Sequence, residues 1–291
     1  MGWLYAGCKS LALAGWLPGA FQYEFMVRGV LAALMLAPLL GALSHVVVMK
    51  RLAFFSAALG NAALTGLTIG IVMGEPIDRA FGGTYGFCLV AAILMVYVRR
   101  HSRLAPDTLV GVFLALTLGL GICLLVAVTK RFNIHQIQAV MFGDILTVTE
   151  ADLAVIAVVG LAVAVLFARH YNAIVLAAFD PELAGSAGVD AARMDYIFVV
   201  VLTLAIVSSL KIVGALLVEA LVVVPAAGAK NLARSLSGYL VWSIVLALTG
   251  SLAGLVLSDL FPVPSGGAIV LSLAVLFFAT LGVGSLRGSL K

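Results

Sequence analysis

The sequence predicts an all-α, polytopic integral membrane protein, and three observations lead to that fold class. Hydrophobic residues make up 64% of the 291 residues and charged residues only 10%, whereas a soluble domain carries roughly 25% charged residues. The mean hydropathy is +1.22. Apolar runs close to the roughly 20 residues that cross a bilayer as a helix recur along the chain. We therefore expect about eight to nine transmembrane helices plus a short re-entrant or interfacial helix.

Residues 1–25 are predicted to form an interfacial segment at the N-terminus. Lys9 accompanies an apolar stretch there, and aromatic residues such as Trp3, Tyr5 and Trp16 are typical of the headgroup region. A signal peptide is the weaker interpretation, because no clear small-residue cleavage motif follows. Residues 26–285 are then expected to form a single transmembrane domain.

Nine apolar runs predict the individual spans. They are Met26–Met49, Leu52–Met73, Ala80–Val98, Leu109–Val128, Leu153–Ala168, Tyr196–Leu210, Ile212–Ala229, Tyr239–Leu257 and Gly267–Gly284. The sixth and seventh runs are nearly fused at Lys211. Ile134–Leu146 is too short to cross and is predicted to be re-entrant or interfacial, since irregular backbone at that depth must be shielded by protein.

The distribution of basic residues predicts the orientation. Loops on one side carry eleven Lys and Arg residues and loops on the other side carry six. The richer side is expected in the cytoplasm. That set is Lys50, Arg51, Arg99, Arg100, Arg103, Arg169, Arg193, Lys230, Arg234, Arg287 and Lys291. We therefore expect an outer N-terminus and an inner C-terminus in a bacterial inner membrane.

Several function classes are disfavoured by what the sequence contains. Cys8, Cys88 and Cys123 have no CxxC spacing, which argues against a disulfide or a thiolate metal site. The sequence contains no basic run with interleaved aromatic residues, so a nucleic-acid partner is not expected. No pattern of a catalytic centre is present, so we expect a transport protein without a tightly bound cofactor rather than an enzyme. The longest polar interval, Asp180–Asp195, is too short for an energy-converting domain.

Glu219 is the most informative polar residue, because it is the acid nearest the middle of a predicted span. A charged side chain in hydrocarbon costs roughly 2.5–3.5 kcal/mol on insertion scales. The carboxyl group must therefore face a cavity, a partner or a proton. Two interpretations stay open: a protonated acid hydrogen-bonded between helices, or a residue that lines a transport pathway.

Asn61, Thr65 and Thr68 share one helix face, since they stand at i, i+4 and i+7. Small residues surround them, so the face fits either close helix packing or a pathway lining. His45 lies near the end of the first predicted span, where a lone histidine is more often packed than a ligand. His135, close before Asp144 on the predicted outer side, is placed to meet an arriving substrate.

The polar segment 178–192 has the pattern of short helices on the inner face. Asp180 is a helix cap, Pro181 suits the first position, and Glu182 suits the first turn. Gly188 is expected to end this helix, and a second short helix to follow into Arg193. By itself such a projection could be a simple connector.

Four stretches resemble the membrane permeases of the zinc/manganese/iron ABC importer family. Phe179–Val189 (FDPELAGSAGV) looks like the family's cytoplasmic coupling segment, which is the most specific match. Phe142–Leu146 is similar to an outer-side motif, Ser209–Gly214 with Pro225–Ala227 to a central helix pair, and Pro264–Val270 to the start of the last span.

The resemblance implies a permease with the cobalamin-importer-like fold. Two copies would form the pathway, and an outer binding protein would deliver a divalent metal ion, with entry near Asp144 and His135. Two ATPase subunits would dock on the coupling helices, and the residues implied in coupling are Asp180, Glu182, Leu183 and Gly188.

One departure from the family pattern bears on the substrate. Relatives carry Gly-Asp-Ala-x-Ser-His where this chain has Ser56–Asn61, so Ala57 and Asn61 replace the aspartate and histidine expected to meet the metal. A rearranged pathway of Asn61, Thr65, Glu219 and His45 is one explanation. A chelate or small organic solute is the second, and an ion-coupled secondary transporter with Glu219 as proton carrier is the third.

Overall fold

The computed structural model describes residues 23–75, 81–102, 104–129, 148–261 and 263–288. Within these ranges helix is the only regular structure, which confirms the predicted fold class. The helices are α1 (Glu24–Met49), α2 (Phe55–Val72), α3 (Phe81–His101), α4 (Pro106–Thr129), α5 (Glu150–Phe179), α6 (Pro181–Ser186), α7 (Ala191–Val213), α8 (Ala215–Leu232), α9 (Leu236–Leu260) and α10 (Ser265–Gly288).

The long helices follow the predicted apolar runs. Eight of them are long and apolar enough to cross a membrane, and α4 contributes the shorter apolar stretch Thr108–Leu124. The predicted interfacial segment and the predicted re-entrant stretch Ile134–Leu146 lie outside the described residues, except for 23–25. The two predicted spans that nearly fuse at Lys211 are separate helices in the structure. Gly214, with a φ of 85°, ends α7 and precedes α8.

One sequence prediction about the segment 178–192 is wrong. No separate short helix lies between Gly188 and Arg193; the chain enters the long helix α7 directly at Ala191. The reason is local, because the Asp190 side chain accepts hydrogen bonds from the N–H groups of Ala192 (2.8 Å) and Arg193 (3.3 Å). These bonds make Asp190 the N-cap of a span rather than a residue within a second connector helix.

Helix α1 lies at the centre of the bundle. It packs against α5, α7, α8 and α9, while α2 packs against α3, α4, α7 and α8. Close approach depends on glycine at the α9–α10 contact, where a methyl group on Gly254 would lie 2.3 Å from Ile269 Cα. The arrangement brings α2 and α8, which carry Asn61 and Glu219, side by side.

Candidate substrate pathway and coupling segment

Glu219 lies one turn into α8 and its carboxyl group reaches towards α2. A methyl group placed on Gly60 would lie 3.5 Å from Glu219 Oε1 and 3.5 Å from Ala215 Cβ. The side chain is partly buried. Among the described residues no side chain or backbone group forms a hydrogen bond or ion pair with this carboxyl group. An intramembrane acid is thus left without a partner among the described residues.

The face of α8 that carries Glu219 is the open face of that helix. Leu216 is 50% exposed, and the opposite face is buried against the bundle. With helical spacing of three and four residues, five of the partly or fully exposed positions of α8 form one stripe. This open stripe consists of Leu216, Glu219, Val223, Ala227 and Lys230. A stripe with a carboxyl group in its course and a lysine at its end is a poor surface for lipid.

Asn61 stands beside this stripe on α2. Gly60, its neighbour, points to Glu219, whereas Thr65 points to α4 and donates a hydrogen bond to the Thr117 carbonyl (3.0 Å). By helical periodicity Asn61 lies between these two directions, and it is partly exposed together with Ala57 one turn earlier. The structure therefore places Asn61 and Glu219 on adjoining helices, at positions that are both partly exposed.

Thr65 and Thr68 occupy helix-packing positions. Thr65 is fully buried and also donates to the Asn61 carbonyl (3.2 Å). Thr68 is buried and donates to the Leu64 carbonyl (2.8 Å). Both contacts fit the packing interpretation that the sequence left open. The role of Thr65 in a pathway stays a prediction.

His45 belongs to a different neighbourhood. It is fully buried, and its ring lies 6.3 Å from that of Phe167 and 5.8 Å from those of Tyr171 and Tyr239, measured between ring centroids. Phe167 and Tyr171 also line an apolar groove of about 610 Å³ between α1, α5 and α9. The contacts of His45 thus come from α5 and α9, and the structure does not group it with Asn61 and Glu219.

The coupling segment forms the short helix that the sequence predicts. Asp180 Oδ1 accepts hydrogen bonds from the N–H groups of Glu182 and Leu183, both at 3.0 Å. Pro181 occupies the first turn, where its missing N–H costs nothing. Leu183 is 54% exposed and Phe179 is 70% exposed. This exposed apolar pair, with Leu183 on the capped helix α6 and Phe179 at the C-terminal end of α5, is suited to contact another protein.

Gly188 ends this helix in the manner that the sequence indicates. Its φ is 77°, in the left-handed region that favours glycine. The Val189 N–H donates to the Ala184 carbonyl (2.8 Å) and the Gly188 N–H to the Gly185 carbonyl (3.1 Å). These two bonds are a Schellman motif, and they fix the direction in which the chain leaves α6.

The sequence reasoning missed a buried ion cluster at the same end of the bundle. The sequence analysis used Lys50 and Arg100 only as charges that predict the orientation. In the structure both contact Asp195 near the start of α7. An acid just inside a span, at the end of the bundle that is rich in basic residues, is the signal that could have indicated the pairing. Asp144 and His135, the predicted entry residues, lie outside the described residues.

Among the described residues no group of three or more His, Cys, Asp or Glu side chains is positioned to hold a metal ion. Carboxylate and amide oxygens are nevertheless ligands for hard divalent cations. Glu219 and Asn61 supply one of each within one protomer. A second copy of the same face would double that set.

Comparison with known proteins gives a consistent assignment. The model of the family described as "ABC 3 transport family" matches residues 22–284. The manganese import system permease protein ScaB of Streptococcus gordonii is 27% identical over 94% of this chain and 96% of its own. The high-affinity zinc uptake system membrane protein ZnuB of Haemophilus influenzae is 27% identical over 89% of this chain and 98% of its own.

A solved structure shares the fold. The structure of PsaBC from Streptococcus pneumoniae in complex with Fab contains a chain that superposes with a TM-score of 0.78. The two chains are 27% identical, and the match covers 92% of this chain and 95% of the other. The likeness therefore extends over nearly the whole chain.

Proposed function

Because this chain belongs to the ABC 3 transport family, we propose that it is the permease subunit of an ATP-driven importer of divalent metal ions of the manganese and zinc class. The observation that carries the proposal is Glu219, an intramembrane acid that has no partner in the part of the chain that the structure describes and lies on the open stripe of α8. Near full-length similarity to permeases of manganese and zinc systems supports it.

The energy source of this importer is an ATP-binding subunit that docks from the cytoplasm. The capped helix α6, with Leu183 and Phe179 exposed, is the docking element. ATP binding and hydrolysis would displace α6, and the bundle would alternate between outward and inward openings. An extracytoplasmic binding protein delivers the ion, the N-terminus lies outside, and the C-terminus lies inside.

The open stripe leads to a second proposal about assembly. A carboxyl group and a lysine on one exposed helix face cannot both face hydrocarbon without a cost. A second copy of this chain, facing the first across the stripe, would remove both from lipid. It would also enclose a path with two Glu219 and two Asn61 side chains along its wall.

A chelated metal is the second candidate substrate, and a specific observation favours it. Ala57 offers no metal ligand beside Asn61, and it is partly exposed. Because its side chain is small, an organic ligand would have room beside it. In this arrangement Asn61 would donate and accept hydrogen bonds to the chelate.

The test uses the permease assembled with its ATP-binding subunit and binding protein in proteoliposomes. We expect uptake of Mn²⁺ or Zn²⁺ that requires ATP. Glu219→Gln should reduce it by roughly ten- to a hundredfold, because the loss of a charged contact is worth about 1.5–3 kcal/mol. Glu150→Gln is the matched control. It removes an exposed carboxylate at the first residue of α5 and should transport normally.

The outcomes separate the hypotheses. Full uptake by the Glu219→Gln variant would remove this residue from the pathway. Uptake of a chelate but not of the free ion would favour the second candidate. Transport by the permease alone, without the ATP-binding subunit, would contradict the ATP-driven mechanism and favour an ion-coupled transporter.

A further inference from the structure

Three charged side chains from distant parts of the sequence meet at the α6 end of the bundle. Asp195 Oδ1 accepts a hydrogen bond from Lys50 Nζ, and Asp195 Oδ2 accepts one from Arg100 Nη2 at 3.4 Å. The three residues belong to the end of α1, the end of α3 and the second turn of α7. One carboxylate thus joins three helices.

The cluster is largely shielded from water. The side chains of Lys50, Asp195 and Arg100 are 4%, 16% and 33% exposed. Burial lowers the pKa of Lys50, and the Asp195 carboxylate opposes that shift. Within the described residues Asp195 is the acid that contacts Lys50 or Arg100 in an ion pair. Removing the carboxylate would therefore leave a buried ammonium group without its counter-charge.

A short, fixed connection joins this cluster to α6. Only Val189 and Asp190 lie between Gly188 and α7. Val189 is hydrogen-bonded back into α6 through the Ala184 carbonyl, and Asp190 is the N-cap of α7. No flexible linker separates the two helices, so a displacement of α6 moves the first turns of α7, and Asp195 with them.

On its other side the cluster touches the elbow that leads to α2. Lys50 is the C-cap of α1. The Leu52 N–H donates to the Val47 carbonyl (2.9 Å), and the Phe55 N–H donates to the Leu52 carbonyl (3.0 Å). The chain from Lys50 to the start of α2 is thus held by backbone hydrogen bonds. Gly60 and Asn61 follow on that helix.

We propose that Asp195 is a positioning residue for coupling, which transmits the movement of α6 to the α1–α2 elbow and to α3, so that the surroundings of Glu219 on the open stripe change in step with ATP turnover. This inference rests on the proposed function. It assigns a role to a residue that touches neither substrate nor nucleotide. Asp195 acts through Lys50 and Arg100.

The experiment measures ATP hydrolysis and solute uptake in the same proteoliposomes, with the complete importer. For the same amount of assembled complex, the Asp195→Asn variant should hydrolyse ATP at half of the wild-type rate or more. Its uptake of solute per ATP hydrolysed should fall by fivefold or more. A role in folding alone would lower the amount of assembled complex and leave this ratio unchanged. The matched control is Arg193→Gln, which removes an exposed charge two residues away and should keep the wild-type ratio.

A second variant keeps the inference falsifiable if Asp195→Asn does not assemble. Lys50→Met with Asp195→Leu replaces the buried pair by apolar side chains, an exchange that buried ion pairs often tolerate. It should also lower uptake per ATP. A wild-type ratio in either assembled variant would overturn the role of Asp195 while leaving the proposed function intact. Absence of ATP-dependent uptake by the wild-type importer would count against the proposed function instead.

Discussion

At the residue scale, Arg51 holds a backbone conformation that most side chains avoid. Its φ is 55°, and it is the one described non-glycine residue with a positive φ. The Leu52 N–H bonds to the Val47 carbonyl (2.9 Å) and the Arg51 N–H to the Val48 carbonyl (3.2 Å). This is the same termination motif as at Gly188, with arginine in the position where glycine is usual.

Arg51→Gly should therefore stabilise the protein. The left-handed conformation costs a non-glycine residue about 1–2 kcal/mol, and the greater freedom of glycine in the unfolded chain offsets part of that gain. We expect a net stabilisation of ~0.5–1 kcal/mol, measured as a higher thermal midpoint in detergent. Arg51→Ala removes the same exposed charge but keeps the strain, so it should give no such increase. An equal gain in both variants would assign the effect to charge rather than to the backbone.

Single residues with local roles were predictable, and residues with distant partners were not. Asp180 and Gly188 act through backbone groups two to four residues away, so their cap functions follow from the sequence pattern. Lys50 and Asp195 are separated by 145 positions. No local pattern connects them, because only the packing of α1 against α7 brings them together.

At the scale of helices, two glycines differ in how closely a neighbouring helix approaches them. A methyl group on Gly254 would meet Ile269 Cα at 2.3 Å, a backbone atom that cannot move alone. A methyl group on Gly60 would lie 3.5 Å from its nearest neighbours, an ordinary contact distance. Two glycines in long helices thus differ in the room beside them.

Gly254→Ala should destabilise the bundle, whereas Gly60→Ala should leave its stability near that of the wild type. Overpacking of a filled contact costs typically about 1–3 kcal/mol, and the close α9–α10 crossing has no spare volume. Thermal unfolding of both purified variants in the same detergent provides the comparison. A Gly254→Ala variant as stable as the wild type would mean that α9 and α10 are not held this closely.

The number and position of the long helices could be predicted from the apolar runs. The residues at which the helices end could not, because they depend on packing and on capping side chains. The predicted fifth span ended at Ala168, but α5 continues to Phe179 through a partly polar stretch. Packing against α6 and α7 allows those extra turns. The short helix predicted before Arg193 failed because Asp190 caps the long helix there.

At the scale of the whole molecule, the predicted pathway became more specific once burial was known. The sequence identified Glu219 and Asn61 as unusual within spans, but it could not show that α2 and α8 adjoin or which face of α8 is open. Those features arise from packing between helices about 160 residues apart in sequence. His45 illustrates the converse, since its packing in an aromatic cluster separates it from that face.

The open stripe of α8 makes a definite prediction about assembly. If two copies face each other there, the two Leu216 side chains, one turn before Glu219, come close across the interface. Val158 on α5 is 70% exposed and belongs to a different surface. Leu216 and Val158 are both apolar and exposed but lie on different surfaces. Val158 is therefore a suitable control position for Leu216.

Leu216→Cys should yield a cross-linked dimer, and Val158→Cys should remain monomeric. The variants are made in a background in which Cys8, Cys88 and Cys123 are replaced by alanine, and native membranes are treated with a short bis-maleimide. Denaturing electrophoresis then reports the fraction of protein at twice the monomer mass. Cross-linking through Val158→Cys alone would place the interface on α5. It would leave the Glu219 face to lipid, which contradicts the cost of a carboxyl group in that position.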